Sequence, residues 1–506
     1  MSVFKACDIR GTYPDELDEG LFAQLGRAVG TVLRERADAP SVLVAGDVRR
    51  STPVLRAALI DGLAAAGCCV ADLGLVPTPV AYFAARRLRP DGLAIVTASH
   101  NPAADNGLKL CLGPLPITVA EMAHVEATLA SGQFATGRGS VAPLAVEDDY
   151  LAWLAAEAAP GDGLKFVLDC GNGGYSALAP RLLRRLGYNV VELFCTPDGA
   201  FPNRAPNPSV PGNLGALREA VPAAGAAFGA ALDGDGDRMA IVDDTGRPLT
   251  GDQAIILLAR HVCSAAFCPV RSAAFRPYEG EEGKIRPEGR TTNREIRPGG
   301  RTTNKVVCDI KCSKAVLDAV AACGATPLLE RSGHTFIKTR MIREQARFGG
   351  EFSGHFFYRE LDGGDDGLYS VVRLAELVQG AAQPVSAAVE AFPRYATTPD
   401  IRLRYDAPDG PQRLDQIAAA AEAASPAEAG FGAREARGEV TRLDGVRVEY
   451  PDGWGLARCS VTEPLLTLRF EAYEGSPRRI AERFLAPVPD LRDSVLEKLD
   501  ILEGTP

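Results

Sequence analysis

The sequence predicts an α/β protein built from three repeated mixed α/β domains and a smaller C-terminal α+β domain. Strand-like apolar runs alternate with helical stretches rich in Ala and Leu, as where SVLVAGD is followed by LRAALIDGLAAAG. This alternation is typical of βαβ units and of mixed, largely parallel sheets. The same order of elements recurs along the chain, and the pattern changes after about residue 375. At 506 residues, the chain is long enough for several domains.

The three α/β units follow one another along the chain. The first, residues 1–145, contains GLAIVTAS, and the second, residues 146–248, begins with LKFVLDCGNGG and closes on ALDGDGDRMAIVDD. The third, residues 249–375, begins with DQAIILLARHV and resumes at NKVVCDIKCSKAVLDAVAACG. A Pro/Ala-rich connection then leads to the C-terminal α+β domain, residues 390–490, in which LLTLRFEAYEG alternates like a strand.

One segment, at about residues 271–304, fits neither pattern. It contains the near-copies IRPEGRTTN and IRPGGRTTN at a spacing of eleven residues, and it has almost no large apolar side chains. Such a composition cannot bury enough apolar surface to order itself. We therefore predict a flexible surface insertion in the third domain, and a basic loop that binds phosphate is the alternative.

Charge composition and cysteine spacing limit the function. The 65 acidic residues exceed the 55 Lys and Arg residues, the formal charge is -10, and there is no long basic block, so no nucleic-acid partner is expected. No secretory signal or membrane span is recognisable, and the 12 cysteines lack C-x-x-C spacing. These features predict a cytoplasmic protein with reduced thiols and no membrane partner.

Three carboxylates alternate with glycines in ALDGDGDRMAIVDD: Asp233, Asp235 and Asp237. Carboxylates this close repel one another, and a cation between them would keep all three ionised. The oxygen donors suit a hard divalent ion such as Mg²⁺. The alternative is a solvated acidic turn. A calcium EF-hand loop begins similarly, but Arg238 occupies the position where the sharp turn of that loop needs glycine.

Ser99 follows an apolar strand in LAIVTASHNP. An ordinary loop serine is one interpretation. A hydrolase nucleophile elbow would need G-x-S-x-G, which is absent, and on extended backbone the neighbouring His100 would point to the opposite face. A metal ion and cationic groups remain as means of activating the serine oxygen. Lys109 is the candidate cation, because the turn signal DNG before it would fold the chain back toward Ser99.

Further polar candidates occur in glycine-rich loops and near the end of the chain. His334 lies in RSGHTFIK and His355 in GGEFSGHFF, where backbone can approach a ligand closely. On an extended loop Glu351 and Ser353 would share one face and could bind two adjacent sugar hydroxyls. A cradle for a phosphate dianion could be formed near the end of the chain by Arg458, Ser460, Thr462 and Arg469. The alternative is a solvated turn.

Four motifs together resemble one enzyme family. TASHNP, DGDGDR, GEFSGH and RCSVTEP occur in the order and at the approximate separations of the α-D-phosphohexomutases, closest to the bacterial phosphomannomutase/phosphoglucomutase branch. DIRG, GLVPTP and FPNRAPNP are lesser matches. The resemblance covers essentially the whole chain apart from the repeat insertion. It implies that the three α/β domains and the smaller C-terminal domain surround a central cleft.

The resemblance also implies a role for each candidate residue. Ser99 would carry a phosphoryl group, and Mg²⁺ would be bound by Asp233, Asp235, Asp237 and an oxygen of the phosphoserine. The transferring group would be surrounded by electrostatic and acid/base groups, namely Arg10, His100, Lys109 and His355. Contacts to the sugar or its nearer phosphate would come from Arg238, Lys311, His334, Glu351 and Ser353. The non-reacting phosphate would be held by Arg458, Ser460, Thr462 and Arg469.

The implied reaction is the interconversion of hexose 1-phosphate and hexose 6-phosphate, for mannose, glucose or both. A hexose 1,6-bisphosphate would be the intermediate and activator, a small phosphosugar the partner, and the protein a monomer or small homo-oligomer. Three alternatives are a phosphoglucosamine mutase, a metal-dependent phosphatase and a non-catalytic sugar-phosphate-binding protein. GEFSGH and DIRG argue against the first of these, because that branch resembles GEQSGH and carries a different N-terminal signature.

Overall fold

The structure is a computed structural model of the chain. Ser460, Thr462 and nearly all of the repeat insertion lie outside the residues that it describes, so predictions that concern them remain predictions. Among the helices of the described part, none is both long and apolar enough to cross a membrane. The described residues are 3–264, 304–405, 409–423, 438–459 and 465–503.

The first domain is a six-stranded mixed sheet with helices on its faces. The strand order is β1-β5-β4-β2-β3-β6, in which β4, β2, β3 and β6 are parallel and β1 and β5 are antiparallel to their neighbours. Its elements are β1 (Asp8–Thr12), α1 (Glu19–Arg34), β2 (Ser41–Gly46), α2 (Thr52–Ala65), β3 (Cys69–Leu75), α3 (Thr78–Leu88), β4 (Gly92–Val96), β5 (Asp105–Cys111), α4 (Val119–Ser131) and β6 (Ser140–Pro143).

The second domain repeats this plan with four strands. In the order β10-β9-β7-β8, the strands β9, β7 and β8 are parallel and β10 is antiparallel. Its elements are α5 (Glu147–Glu157), β7 (Lys165–Asp169), α6 (Leu178–Arg185), β8 (Asn189–Leu193), a 3₁₀ turn (Pro211–Leu214), α7 (Gly215–Ala224), β9 (Phe228–Leu232) and β10 (Met239–Asp243).

The third domain repeats the plan again. The order is β12-β11-β13-β14-β15. The strands β12, β11 and β13 are parallel, and β14 is antiparallel to its two neighbours, β13 and β15. Its elements are α8 (Gly251–Cys263), β11 (Lys305–Asp309), α9 (Lys314–Ala322), β12 (Thr326–Glu330), α10 (His334–Glu344), β13 (Phe348–Gly350), β14 (Phe356–Tyr358), a 3₁₀ turn (Arg359–Leu361), β15 (Gly364–Asp365) and α11 (Gly367–Gly380).

The C-terminal domain is an antiparallel sheet covered by helices, as the α+β pattern predicts. Strand β21 pairs with β16, β17 and β20, and β19 and β18 follow. The last helix continues past residue 490, the predicted end of the domain, because Val495 and Leu499 pack into this core. The helix α12 (Val385–Glu390) precedes this domain and packs into the core of the first three domains. The elements of the C-terminal domain are β16 (Ala396–Thr397), β17 (Ile401–Arg404), α13 (Gly410–Ala423), β18 (Glu439–Thr441), β19 (Val446–Tyr450), β20 (Gly453–Cys459), β21 (Leu465–Ala472), α14 (Pro477–Phe484) and α15 (Pro489–Glu503).

The three α/β domains share a local feature that their sequences do not reveal. In each domain one parallel strand leads into a short loop, and the next strand along the chain returns antiparallel beside it: β4 to β5, β9 to β10, and β13 to β14. The loops hold TASHNP, DGDGDR and GEFSGH respectively. Three motifs without residue-level identity therefore occupy equivalent places in three repeats of one fold unit.

The hydrophobic cores differ in how far they extend. One cluster of buried side chains, including Phe83, Phe166 and Phe348, runs through the first three domains. The C-terminal domain has its own cluster, and Ile310 of the third domain packs against Trp454 and Leu456 of the C-terminal domain. The first three domains thus share one core, and the C-terminal domain is attached to it through a smaller apolar contact.

Glycines bring α1 and α2 into close contact in the first domain. A Cβ added at Gly62 would lie 2.1 Å from the backbone oxygen of Ala23, and one added at Gly26 would lie 2.3 Å from that of Leu59. These distances are far shorter than a van der Waals contact, so either substitution would force the helices apart.

We predict that Gly62→Ala lowers the free energy of unfolding by about 1–3 kcal/mol, the usual cost of overpacking a core. Urea unfolding followed by circular dichroism measures this. The matched control is Gly215→Ala at the start of α7, where no atom lies within 4 Å of the added Cβ. This control should leave stability unchanged or raise it by up to about 1 kcal/mol. Equal effects of the two substitutions would contradict the packing argument.

A buried carboxylate joins the second and third domains. Asp366 begins α11 as its N-cap and accepts hydrogen bonds from the hydroxyls of Tyr150 (2.7 Å) and Tyr175 (2.9 Å). Burial raises the pKa of Asp366 from 3.8 to about 6, although these hydroxyl donors act in the opposite direction. The folded protein therefore binds a proton here more tightly than the unfolded chain does.

This difference predicts a pH dependence of stability. Between pH 3.8 and about 6 the folded state holds the extra proton, so stability should fall as pH rises through this window. Relative to Asp366→Asn, which does not titrate, the wild type should lose about 2–3 kcal/mol between pH 4 and pH 7. Urea unfolding of both proteins at several pH values measures the difference. A difference that does not change with pH would refute the prediction.

Candidate active site

Ser99 lies in the loop between β4 and β5, in an unusual backbone conformation. Its φ is +52°, a left-handed value that is uncommon for residues other than glycine and is often found at functional sites. Its N–H donates to Thr97 Oγ1 (2.8 Å). The prediction that Ser99 and His100 point to opposite faces is wrong, because the backbone is not extended here; Ser99 Oγ lies 3.3 Å from His100 Nδ1.

A buried arginine that sequence reasoning missed holds this loop. The guanidinium of Arg49 pairs with Asp47 and is fully buried. It donates to the carbonyl oxygens of Ser99 (2.8 Å), Asn101 (2.7 Å) and Asp105 (2.9 Å). Because this one side chain binds carbonyl groups at several positions along the loop, it fixes the position of Ser99 in the site.

Lys109 lies close to the acidic cluster, but the turn that the sequence predicts at DNG, just before it, is not formed there. Asp105 to Gly107 are part of β5 rather than a turn, and the chain reverses between Thr97 and Ala104. Asn106 is buried within the strand, where its amide donates to Ser51 Oγ (2.8 Å). Lys109 Nζ donates to Asp235 Oδ2 (2.7 Å) and Asp237 Oδ2 (2.6 Å).

The acidic loop between β9 and β10 meets the serine loop directly. Ser99 Oγ donates to Asp233 Oδ2 at 3.3 Å. A Cβ at Gly234 would lie 2.6 Å from the carbonyl oxygen of Ser99, so this approach requires glycine. A second buried arginine, Arg204, pairs with Asp169 and donates to the carbonyl oxygen of Leu232 (2.7 Å), immediately before the loop.

The three aspartates share one small volume, and their charges are strongly coupled. Ligand oxygens of Asp233, Asp235 and Asp237 all lie within 4.8 Å of one another, and the three side chains are buried. Burial, and then the charges of Asp237 and Asp235, raise the pKa of Asp233 well above its usual value. Burial would also raise the pKa of Asp237, but Lys109 and then His355 hold it well below the usual range.

The donor set fits a hard divalent cation. Asp235 Oδ1 and Asp237 Oδ1 are buried oxygens with no hydrogen-bond partner, and a desolvated carboxylate oxygen of this kind needs a cation or a donor. Both oxygens belong to the group of three carboxylates, with Ser99 Oγ at its edge. An all-oxygen shell of this composition favours Mg²⁺ or a similar ion over a thiophilic metal.

The third loop, between β13 and β14, forms a tight turn and not the extended segment expected from the sequence. Gly354 N–H donates to the carbonyl oxygen of Glu351 (3.0 Å), and Gly354 has a φ of +97°. Glu351 and Ser353 nevertheless lie together, because Ser353 Oγ donates to Glu351 Oε1 at 2.7 Å. Burial would raise the pKa of Glu351, but the charges of His355 and Arg238 lower it.

His355 links the third loop to the acidic loop. Arg238 pairs with His355 in an isolated antiparallel bridge, and Arg238 Nε donates to His355 Nε2 at 2.7 Å. His355 Nδ1 lies 2.7 Å from Asp365 Oδ2 and 3.6 Å from Asp237 Oδ1. Burial and Arg238 would lower the pKa of His355, but Asp237 and Asp365 outweigh them and raise it. Asp365 carries no sequence motif, and its contact follows from the pairing of β14 with β15.

The remaining basic candidates border the same space. Arg10 on β1 pairs with Asp8 (2.8 Å) and donates to the carbonyl oxygen of Thr97 (3.3 Å). His334 is the first residue of α10, and its ring centroid lies 6.1 Å from that of His355. Burial, and then the charge of Lys109, lower the pKa of His334 to about 4. Burial, and then Arg238, lower the pKa of His100 well below its usual value.

The predicted phosphate cradle is only partly within the described residues. Arg458 pairs with Asp444 (3.1 Å) near the end of β20. Arg469 on β21 is 4% exposed, and it donates to the carbonyl oxygen of Lys311 (2.7 Å) and to Asp252 (2.8 Å). Lys311 Nζ lies 3.3 Å from Asp400. The contacts of Arg469 use only two of the five N–H donors of its guanidinium, and its buried Nε has no hydrogen-bond partner among the described residues.

Comparisons with known proteins match all four domains of this chain. Family models described as phosphoglucomutase/phosphomannomutase match the chain in order: alpha/beta/alpha domains I, II and III over residues 1–136, 148–246 and 292–395, and the C-terminal domain over residues 401–485. The phosphomannomutase/phosphoglucomutase of Pseudomonas aeruginosa is 35% identical over 472 residues, which cover 93% of this chain and 92% of that protein.

Two further relatives match over nearly their whole lengths. The phosphoglucomutase of Neisseria gonorrhoeae is 32% identical over 96% of each chain. The crystal structure of a phosphoglucomutase/phosphomannomutase family protein from Burkholderia thailandensis superimposes with a TM-score of 0.81 at 34% identity, and it covers 96% of each chain.

The acidic cluster predicts a specific response to Mg²⁺. Lys109→Met removes the cation that now neutralises Asp235 and Asp237, and breaking a buried ion pair of this kind costs about 3–5 kcal/mol without metal. Mg²⁺ should then restore part of the lost stability, about 2.7 kcal/mol when its concentration is a hundred times its dissociation constant. Because Lys109 neutralises the two carboxylates, its removal leaves more uncompensated negative charge for Mg²⁺ to balance, so the stabilisation by Mg²⁺ should be larger in the variant than in the wild type.

Thermal unfolding with EDTA and with increasing Mg²⁺ measures both effects. The matched control is Lys305→Met, since Lys305 pairs with the partly exposed Glu344 (2.7 Å). That substitution should cost at most about 1 kcal/mol and should not alter the response to Mg²⁺. If Mg²⁺ stabilises both variants equally, the cation binds elsewhere.

Proposed function

Because the chain belongs to the phosphoglucomutase/phosphomannomutase family, we propose that its three loops and its C-terminal domain carry out the reaction of that family at one site. The chain is a phosphohexomutase, which interconverts hexose 1-phosphate and hexose 6-phosphate. The observation that carries the assignment of the site is that Ser99 Oγ donates to a buried carboxylate cluster to which Lys109 is also hydrogen-bonded. Glucose and mannose phosphates are the proposed substrates, in keeping with the relatives' names.

Ser99 carries the phosphoryl group that is transferred. In the first step the bond between phosphorus and Ser99 Oγ breaks while a bond forms to the free hydroxyl of a bound hexose 1-phosphate, which yields a hexose 1,6-bisphosphate. After the bisphosphate turns around, its other phosphoryl group returns to Ser99 and hexose 6-phosphate leaves. The protein contributes mainly position and charge to such a reaction. Arg10 and Lys109 supply positive charge beside the transferring group.

The hydroxyl that accepts the phosphoryl group must lose a proton, and His355 is the proposed acceptor. With Nδ1 against Asp365, the lone pair of His355 lies on Nε2. Arg238 Nε donates to this atom at 2.7 Å. The sugar hydroxyl therefore takes the place of Arg238 at Nε2 before its proton moves. His100, whose Nδ1 lies 3.3 Å from Ser99 Oγ, is proposed to assist at the serine end of the transfer.

Mg²⁺ is the proposed metal, held by Asp233, Asp235, Asp237 and an oxygen of phosphorylated Ser99. When bound, it supplies positive charge that stabilises the negative charge of the phosphoryl group. The orphaned oxygens of Asp235 and Asp237 support this assignment. Lys109 holds two of the same carboxylates in place through their Oδ2 atoms.

The sugar and its distant phosphate are proposed to bind on the other two sides of the cleft. Glu351 and Ser353, already hydrogen-bonded to each other, bind sugar hydroxyls in either orientation of the ring, and His334 and Lys311 border them. Arg238 contacts the sugar or its nearer phosphate. The non-reacting phosphate is held by Arg458, Ser460, Thr462 and Arg469.

Ser99→Ala tests the central assignment. In a coupled mutase assay with glucose 1-phosphate and mannose 1-phosphate, Mg²⁺ and a trace of the 1,6-bisphosphate, we expect the variant to lose at least about a thousandfold in kcat, because removing a nucleophile leaves only binding and electrostatic assistance. Ser494→Ala on α15, where the hydroxyl donates to the carbonyl oxygen of Asp490, is the matched control and should retain full activity.

The outcomes separate the alternatives. Turnover of either sugar phosphate that is abolished by EDTA, restored by Mg²⁺ and lost in Ser99→Ala supports the proposal. Release of inorganic phosphate in place of isomerised sugar would indicate a phosphatase. Turnover of glucosamine phosphate alone would indicate a phosphoglucosamine mutase. Binding of sugar phosphate without any turnover by the wild type would rule out the catalytic assignment.

A further inference from the structure

The segment that carries Lys311 is held by the C-terminal domain along its backbone. This segment, Ile310–Lys314, connects β11 to α9 of the third domain. Arg447 on β19 donates to the carbonyl oxygens of Ile310 and, at 3.1 Å, of Cys312. Arg469 donates to the carbonyl oxygen of Lys311, which lies between them, at 2.7 Å. Successive carbonyl groups on both sides of Lys311 are thus bound by two arginines of another domain.

Carboxylates bind three of the five N–H groups of the same segment, and the other two donate to backbone carbonyl oxygens. Glu471 on β21 accepts from the backbone of Lys314 at 2.9 Å and from the indole of Trp454 at 2.9 Å. Asp252 on α8 accepts from the backbone of Ser313 at 3.0 Å, and it also pairs with Arg469. The polar backbone groups from Ile310 to Lys314 are therefore satisfied mostly by side chains from outside the segment.

Arg447 is completely enclosed by the protein. It is fully buried, and its guanidinium stacks on the ring of Trp454 at 3.8 Å and pairs with Glu449. Burying a guanidinium is costly unless its donors are bound, and here the planar fork reaches a carboxylate and two carbonyl oxygens together. A lysine, with a single ammonium on a flexible stem, cannot make this set of contacts in one geometry.

From these contacts we propose that Arg447 is a positioning residue for Lys311. It does not touch the substrate; it sets the backbone from which the Lys311 side chain reaches the sugar or the phosphate near it. The C-terminal domain thus has a second role besides holding the distant phosphate, since its position fixes a binding residue of the third domain. This inference rests on the proposed function, in which Lys311 is a substrate contact.

Steady-state kinetics of Arg447→Lys test the inference. Lys311 binds the substrate in the ground state and in the transition state alike, so its displacement should raise KM by about tenfold and change kcat by less than about threefold. Arg483→Lys is the matched control. Arg483 belongs to the same domain, pairs with Asp452 and stacks on Tyr450, and it should leave KM within about twofold of the wild type.

A double-mutant cycle distinguishes positioning from a general structural effect. In a Lys311→Met background Arg447→Lys should raise KM by no more than about twofold, because the side chain through which Arg447 acts is already gone. The inference is overturned if the double variant raises KM by the product of the two single effects. It is also overturned if Arg447→Lys lowers stability without changing KM.

Hydrogen exchange of the ligand-free protein tests the same contacts without relying on activity. Amides of the peptide from Lys305 to Lys314 should exchange at least about tenfold faster in Arg447→Lys than in the wild type and in Arg483→Lys. Unchanged exchange would show that Arg447 does not hold this segment. An inactive wild type with faster exchange in Arg447→Lys would overturn the proposed function and leave the control of this segment by Arg447 supported.

Discussion

Buried arginines that bind backbone carbonyl groups are the interaction on which the whole site depends. Arg49 holds the serine loop, Arg204 holds the strand end before the acidic loop, and Arg447 holds the segment of Lys311. Each of these arginines pairs with a carboxylate close to it, which offsets part of the cost of burying the charge. Loops are normally the most variable parts of a fold, but a planar guanidinium that binds two to four carbonyl groups gives a loop a single geometry.

The second constraint is charge balance in a small buried volume. Asp233, Asp235 and Asp237 cannot all be ionised there without positive charge nearby. Lys109 supplies this charge from β5, and His355, immediately before β14, lies 3.6 Å from Asp237. Lys109 is on the strand that returns beside β4, and His355 directly precedes the strand that returns beside β13. The repeated unit of parallel strand, loop and antiparallel strand therefore delivers the acidic ligands from one domain, and the compensating lysine and a neighbouring histidine from the other two.

The sequence predicts the parts of this structure that depend on local pattern. Apolar runs indicate the strands, and three of the four motifs indicate loops of the described residues, because spacing along the chain is enough to recognise both. The turn expected at DNG is absent, since Asn106 finds partners in Ser51 and Thr52, more than fifty residues away. The roles of Arg49, Asp365 and Arg447 were missed for a related reason. The sequence around a charged residue does not indicate whether its side chain will be solvated or buried against distant carbonyl groups.

The way the domains are joined suits a substrate that has to react at both ends. The geometry around Ser99 must stay fixed through both phosphoryl transfers, and the first three domains share one hydrophobic core. The C-terminal domain has its own core, and it meets the third domain through a small apolar contact of Ile310 with Trp454 and Leu456 and through polar contacts with several elements. Separating two domains at an interface of this kind costs less free energy than separating domains that share one core. On the proposed function, movement of the C-terminal domain would release the distant phosphate and loosen Lys311 together, so the bisphosphate could turn while the transfer site stays intact.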